Sequence, residues 1–168
     1  MITPAYLERM ARYNSWQNGS VFGAADTLDD AARRADRGAF FASIHRTLSH
    51  LLWGDTAWMD RFEGGDGPGV PIAESGDWVE DWGVLKSRRR AMDARIRDWA
   101  RTATAADIEG DFTWSSGTTG RDMTLPKAVC LIQLFNHQTH HRGQVHAMLT
   151  AAGARPDVTD LPFMPEDA

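Results

Sequence analysis

A chain of 168 residues is long enough to bury a real core without help from disulfides or a structural metal, and its single cysteine excludes an internal disulfide framework. A formal net charge of -5 and a pI near 5.6 exclude the basic stripe that a nucleic-acid partner requires. With no apolar leader and no uninterrupted apolar run of spanning length, no membrane partner is expected, and the prediction is one soluble domain over residues 1–168 in a reducing cytoplasm.

In chain order, the first periodic segment covers about 4–27, with Thr3 as cap, Pro4 in the first turn and Leu7, Met10, Ala11, Trp16 and Phe22 as apolar positions. DTLDDAARRADRG then reads as a connection. A second helix is predicted from about Gly38 to Phe62, where Phe41, Ile44, Leu48, Leu51, Trp58 and Phe62 form its stripe, and EGGDGPGVP stops it in a glycine-rich loop. The third, about 78–103, sets Trp82, Leu85, Met92, Ile96 and Trp99 on one face. Its RRRAMDARIRDWAR run, 88–101, is interrupted by Asp93 and Asp98 and reads as a solvated face.

Residues 107–125 change character. Phe112 and Trp114 alternate with polar neighbours, SSGTTG is turn-forming, and Met123 and Leu125 alternate beyond it, which predicts a short β-hairpin or an irregular excursion. Pro126 opens a last helix that ends at Gly153, and the tail ARPDVTDLPFMPEDA belongs on the surface in extended form or short turns. Four long amphipathic helices with short connections predict an all-α protein, an antiparallel four-helix bundle.

Histidine is confined to two windows, HRTLSH with His45 and His50, and NHQTHHRGQVH with His137, His140, His141 and His146. At about 100° per residue, Cys130, Leu134, His137, His141, Val145 and Met148 share one stripe of the last helix, which puts two imidazoles on the face that enters the core. A buried imidazole without a partner costs about 1–3 kcal/mol. Residues four apart can aim their nitrogens at one ion, so HxxxH is a metal-binding spacing, although two satisfied core histidines would give the same pattern. His146 falls on the opposite side, toward the surface, His140 at the edge of the stripe, and Cys130, two turns from His137, reads as a small core residue.

A third ligand must come from the other window. His45 and His50 are five apart and cannot both face one ion. Ser43, Thr47, Gly54 and Ala57 surround His50 with a groove of small residues that lets a partner helix approach, so His50 is the expected ligand and His45 a flanking residue, hydrogen-bonded or solvated. Gln133 and Gln144 lie on the side of His137, where they could hold ligand rings in the right tautomer or bond between helices. Three neutral imidazoles suit transition metals, zinc or nickel first, with iron, copper or manganese also compatible, rather than magnesium or calcium. With no fourth protein ligand, one position stays open to water or substrate.

Two familiar chemistries do not fit. A zincin needs HExxH, and Gln138 stands here where the glutamate base would be. A di-iron carboxylate bundle needs ExxH motifs, and no glutamate occurs between Glu109 and Glu166. No protein nucleophile is evident. Trp16, Trp53 and Trp58 are candidates for the walls of a small-molecule pocket, although core or interface packing is the more common role of tryptophan.

RYNSWQN, FFASIHRTLSHLLWGDTAWMDRF and LFNHQTHHRGQVHAML followed by DLPFM resemble the DinB family nearly end to end. The resemblance implies a four-helix bundle holding a divalent metal through one histidine of the second long helix and two of the last, which match His50, His137 and His141. By this resemblance, several relatives are similar to metal-dependent transferases that use a low-molecular-weight thiol such as mycothiol, bacillithiol or glutathione. Others are known only as stress- or damage-associated proteins. The expectation is therefore a metal-dependent thiol S-transferase acting on an electrophilic small molecule, with a metal-dependent hydrolase or a non-catalytic metal-binding protein as alternatives. Family members often pair through bundle helices, so a homodimer is also expected.

Overall fold

The computed structural model describes residues 1–117 and 119–168. Four long helices dominate it: α1 (Pro4–Asp26), α3 (Ile44–Glu63), α4 (Trp82–Thr102) and α5 (Lys127–Ala151), with a short α2 (Asp30–Arg34) and one hairpin, β1 (Asp111–Ser116) and β2 (Arg121–Pro126). Helix α1 packs against α4 and α5, and α3 packs against the same two, so the four long helices enclose a common core. Leu7, Leu48, Leu51, Leu52, Leu85, Ile96, Leu131, Leu134, Phe135 and Leu149 fill it. No helix among the described residues is long and apolar enough to cross a membrane.

The helix ends follow local chemistry. Thr3 caps α1 by accepting from the Tyr6 amide, Asp81 caps α4 through the Val84 amide, and Gly153, at φ 84°, supplies the left-handed turn after α5. The predicted hairpin forms in the register Phe112 to Leu125 and Trp114 to Met123, with Thr118 of its SSGTTG turn outside the described residues. A lone hairpin is marginal in water. This one lays Phe112 and Trp114 on Phe62 and Trp58 of α3, with ring centroids 5.4 and 5.5 Å apart. Pro126 closes β2 and caps α5 rather than lying inside it.

Three segments differ from the sequence reading. The connection after α1 contains α2, started by Asp29, whose side chain accepts from the Ala32 amide. The second long helix begins at Ile44 rather than Gly38, because Ser43 is its cap and Ala42 takes a left-handed φ of 62° just before it. Phe41 therefore lies off the helix and is free to turn toward the histidines. The glycine-rich loop after α3 leads into a 3-10 segment, Ile72–Asp77, packed on α3.

The basic run of α4 is also not wholly solvated. Arg89 is 3% exposed and pairs with Asp55 of α3 at 2.7 Å and with Asp93 at 2.9 Å, while Asn18 of α1 donates to Asp93 at 2.8 Å. Position 89 falls on the same side of α4 as Leu85, Met92 and Ile96, so its charge enters the core and requires buried partners.

Candidate metal centre

His50 projects from the middle of α3 through the groove predicted for it. Ser43, Thr47 and Ala57 are all buried, and at Gly54 an added Cβ would sit 2.8 Å from Cε1 of His137. Glycine at 54 is thus what allows the His137 imidazole to lie against α3. His141 stands one turn further along α5. The three rings converge, with one nitrogen from each within 4.8 Å of the others, and Nε2 of His50 is 3.0 Å from Nε2 of His137. Two nitrogens on one tetrahedral ion, at bonds of about 2.0–2.1 Å, stand roughly 3.4 Å apart. The spacing found is close to that, and the donor set suits a divalent metal.

Hydrogen bonds on the far side of two rings decide which nitrogen is free. Ser75, from the 3-10 segment, donates its hydroxyl to the Ile72 carbonyl at 2.6 Å, so its oxygen accepts from Nδ1–H of His50 at 2.8 Å. Nδ1–H of His141 donates to Oε1 of Gln144 at 2.8 Å. Both partners leave Nε2 with its lone pair directed inward, the arrangement that outer-shell groups impose on ligating histidines. For His137, Nδ1 is buried without a hydrogen-bond partner among the described residues, and its ring is set by packing on Gly54.

Electrostatics keep the rings neutral. Burial, followed by the neighbouring His137 and His141, lowers the His50 pKa to about 3. Burial and then His141 and His140 lower that of His137 to about 4, and burial lowers that of His141 against the opposing effect of the hydrogen bond it donates to Gln144. Neutral imidazoles are the form that binds metal. Aromatic rings complete the surroundings: Phe41 stacks on His50 with centroids 3.9 Å apart and meets His141 edge-on at 5.5 Å, and Trp53 lies nearly parallel to His50 at 6.2 Å.

Other candidates separate as follows. His45 is buried, not solvated, and donates from Nε2 to the Val79 carbonyl at 2.8 Å, away from the cluster. His140 is exposed, with Nε2 3.3 Å from Nε2 of Gln144, and His146 lies half-buried on the other side of α5. Gln144 accepts from the His141 ring, whereas Gln133 is exposed beside His137 at a surface cavity shared with Asn136, Thr139 and His140. Cys130 is 1% exposed, and burial pushes its thiol up, which disfavours the thiolate. Trp53 alone of the three tryptophans neighbours the cluster, since Trp58 covers the hairpin and Trp16 packs on Tyr13.

Neither Ser75 nor the inward turn of Phe41 is marked in the sequence: Ser75 sits in a loop with no periodicity to show its direction, and Phe41 falls on a helical stripe that the Ser43 cap cuts short.

These groups lie in segments shared with known proteins. Protein DinB of Bacillus subtilis (strain 168) is 25% identical over 162 residues, a match spanning 90% of this chain and 89% of that protein. The DinB family model matches residues 1–168, so the two histidine windows and everything between them fall inside one familial pattern, and the chain belongs to the DinB family.

Proposed function

We propose that the four long helices form an antiparallel bundle whose His50, His137 and His141 hold one divalent transition metal, zinc or nickel first, and that the protein is a metal-dependent transferase for a low-molecular-weight thiol. The observation that carries the reading is the inward direction of the lone pairs on His50 and His141, set by Ser75 and Gln144, with no fourth protein ligand among the described residues. A bound metal supplies positive charge that lowers the pKa of a thiol brought to the open position. The chain itself does the positioning. Ser75 and Gln144 hold two rings in one tautomer, Gly54 admits the third, and Phe41 and Trp53 cover His50 with apolar surface. The nucleophile must come from outside, because the one thiol of the chain, Cys130, is buried and two turns from His137.

The test is consumption of an electrophile such as a chlorodinitrobenzene by the metal-loaded protein with mycothiol, bacillithiol or glutathione. Metal-dependent conjugation that disappears in His137→Ala supports the reading. Lack of conjugation with all three thiols would overturn it, and thiol-independent turnover would indicate a hydrolase.

A further inference from the structure

Arg142 is a buried cation outside the metal centre. It follows His141, so its side chain leaves α5 about 100° further round, on the side of α1. It is 5% exposed, and both of its hydrogen bonds use Nη1, to the neutral amide oxygens of Asn14 and Gln138. The carboxylates that act on it from a distance, Asp55 and Asp93, are in contact with Arg89 instead. Burial lowers its pKa to about 10, which leaves it charged at neutral pH.

Arg142 also lines a cavity of about 320 Å³ between α1 and α5. Of the polar side chains that line it, the Tyr13 hydroxyl donates to the Thr159 carbonyl at 2.6 Å, the Gln17 amide to the Val158 carbonyl at 3.0 Å and the Thr139 hydroxyl to the Phe135 carbonyl at 3.0 Å, while His146 stands at its edge. Nε and Nη2 of Arg142 have no hydrogen-bond partner among the described residues and, unlike Nε of Arg89, are not sealed from solvent. Val21, Ala147 and the ring of Tyr13, whose centroid is 5.7 Å from the guanidinium carbon, give the cavity an apolar wall. One free edge of a rigid guanidinium fork matches a carboxylate, and a buried cation without a charged contact gains most from one.

We propose that this cavity is a second ligand site, which takes a small carboxylate with an apolar body, the carboxylate on the Nε and Nη2 edge of Arg142 and the body against Tyr13, Val21 and Ala147. The site is independent of the metal reading.

The experiment titrates the zinc-loaded full chain with phenylacetate and, in parallel, with the uncharged phenylacetamide, followed by NMR of backbone amides and the Arg142 Nε–H. Two variants accompany the wild type. Arg142→Met removes the donors, and Gly143→Leu fills the cavity from an exposed helix position where an added Cβ meets nothing within 4 Å. Phenylacetate is expected to shift the Arg142 Nε–H and the amides of Gly143 and Ala147. It should bind at least about tenfold more tightly than the amide, the scale of a charge-assisted hydrogen bond, and lose binding in both variants. Equal affinity for acid and amide overturns the proposal, as does absence of shifts at about 10 mM, an affinity weaker than a few kcal/mol. Binding that persists in Gly143→Leu with shifts around His137 places the carboxylate on the metal and also overturns it. Should Arg142→Met fail to fold, Gly143→Leu decides.

Discussion

Gly54→Ala should separate metal binding from folding. The added Cβ would lie 2.8 Å from Cε1 of His137 and 3.2 Å from its Nδ1. Carbon atoms settle at about 3.5–4.0 Å, so the ring must retreat by roughly 0.7 Å or more. Metal–nitrogen bonds tolerate deviations of only about 0.2 Å. The His137 ligand is then displaced, and metal affinity should fall by at least about tenfold to a hundredfold, the effect seen when ligand orientation is disturbed. Folding should not suffer, because the obstructed atoms are the far end of a side chain and alanine favours a helix over glycine by about 0.8–1 kcal/mol. Cobalt titration followed by visible absorption measures the first effect, and urea unfolding of the metal-free protein measures the second. Wild-type affinity in Gly54→Ala, or loss of metal only together with unfolding, would refute the reasoning.

Ser75→Ala removes the acceptor that fixes the His50 tautomer and should weaken metal binding by about tenfold to a hundredfold in the same titration; unchanged affinity would show that Ser75 does not orient the ring. The metal-free protein should lose stability in acid. Unfolded histidines take up protons below about pH 6.5 while His50 and His137, held near 3 and 4, do not, so each contributes a loss of about 2 kcal/mol between pH 7 and pH 5, continuing until the folded rings titrate. Urea midpoints at the two pH values check this, and flat stability contradicts it. Arg89→Met strands Asp55 and Asp93 in the core and should cost about 3–5 kcal/mol by denaturant unfolding, whereas a cost below about 1 kcal/mol would mean the charges find other partners.

The helices were legible because their apolar positions repeat and their caps are local: Thr3, Pro4 and Gly153 act where the sequence places them. His50, His137 and His141 could be singled out for the same reason, since helical spacing fixes direction and small residues around His50 mark a close approach. What could not be read depends on contacts distant in sequence. Ser75 reaches His50 across 25 positions from a loop without periodicity, and Phe41 turns inward only because Ala42 takes a positive φ before the cap. Arg89 looks like a solvated charge in the sequence, and its burial follows from the Asp55 carboxylate that α3 presents beside Asp93 of its own helix; the burial of Arg142 likewise depends on Asn14 of α1 as well as Gln138 of its own helix. His45 is similar, its partner being the Val79 carbonyl that the 3-10 segment brings alongside α3.

Elemental analysis of the purified full chain, dialysed without chelator, tests most directly whether one metal is shared by two helices. The wild type should carry a divalent transition metal at close to one ion per chain, and His50→Ala and His137→Ala should each lose it while remaining helical. A folded wild-type protein that holds no metal and takes none up when supplied would contradict the shared site and reduce the three converging histidines to core packing.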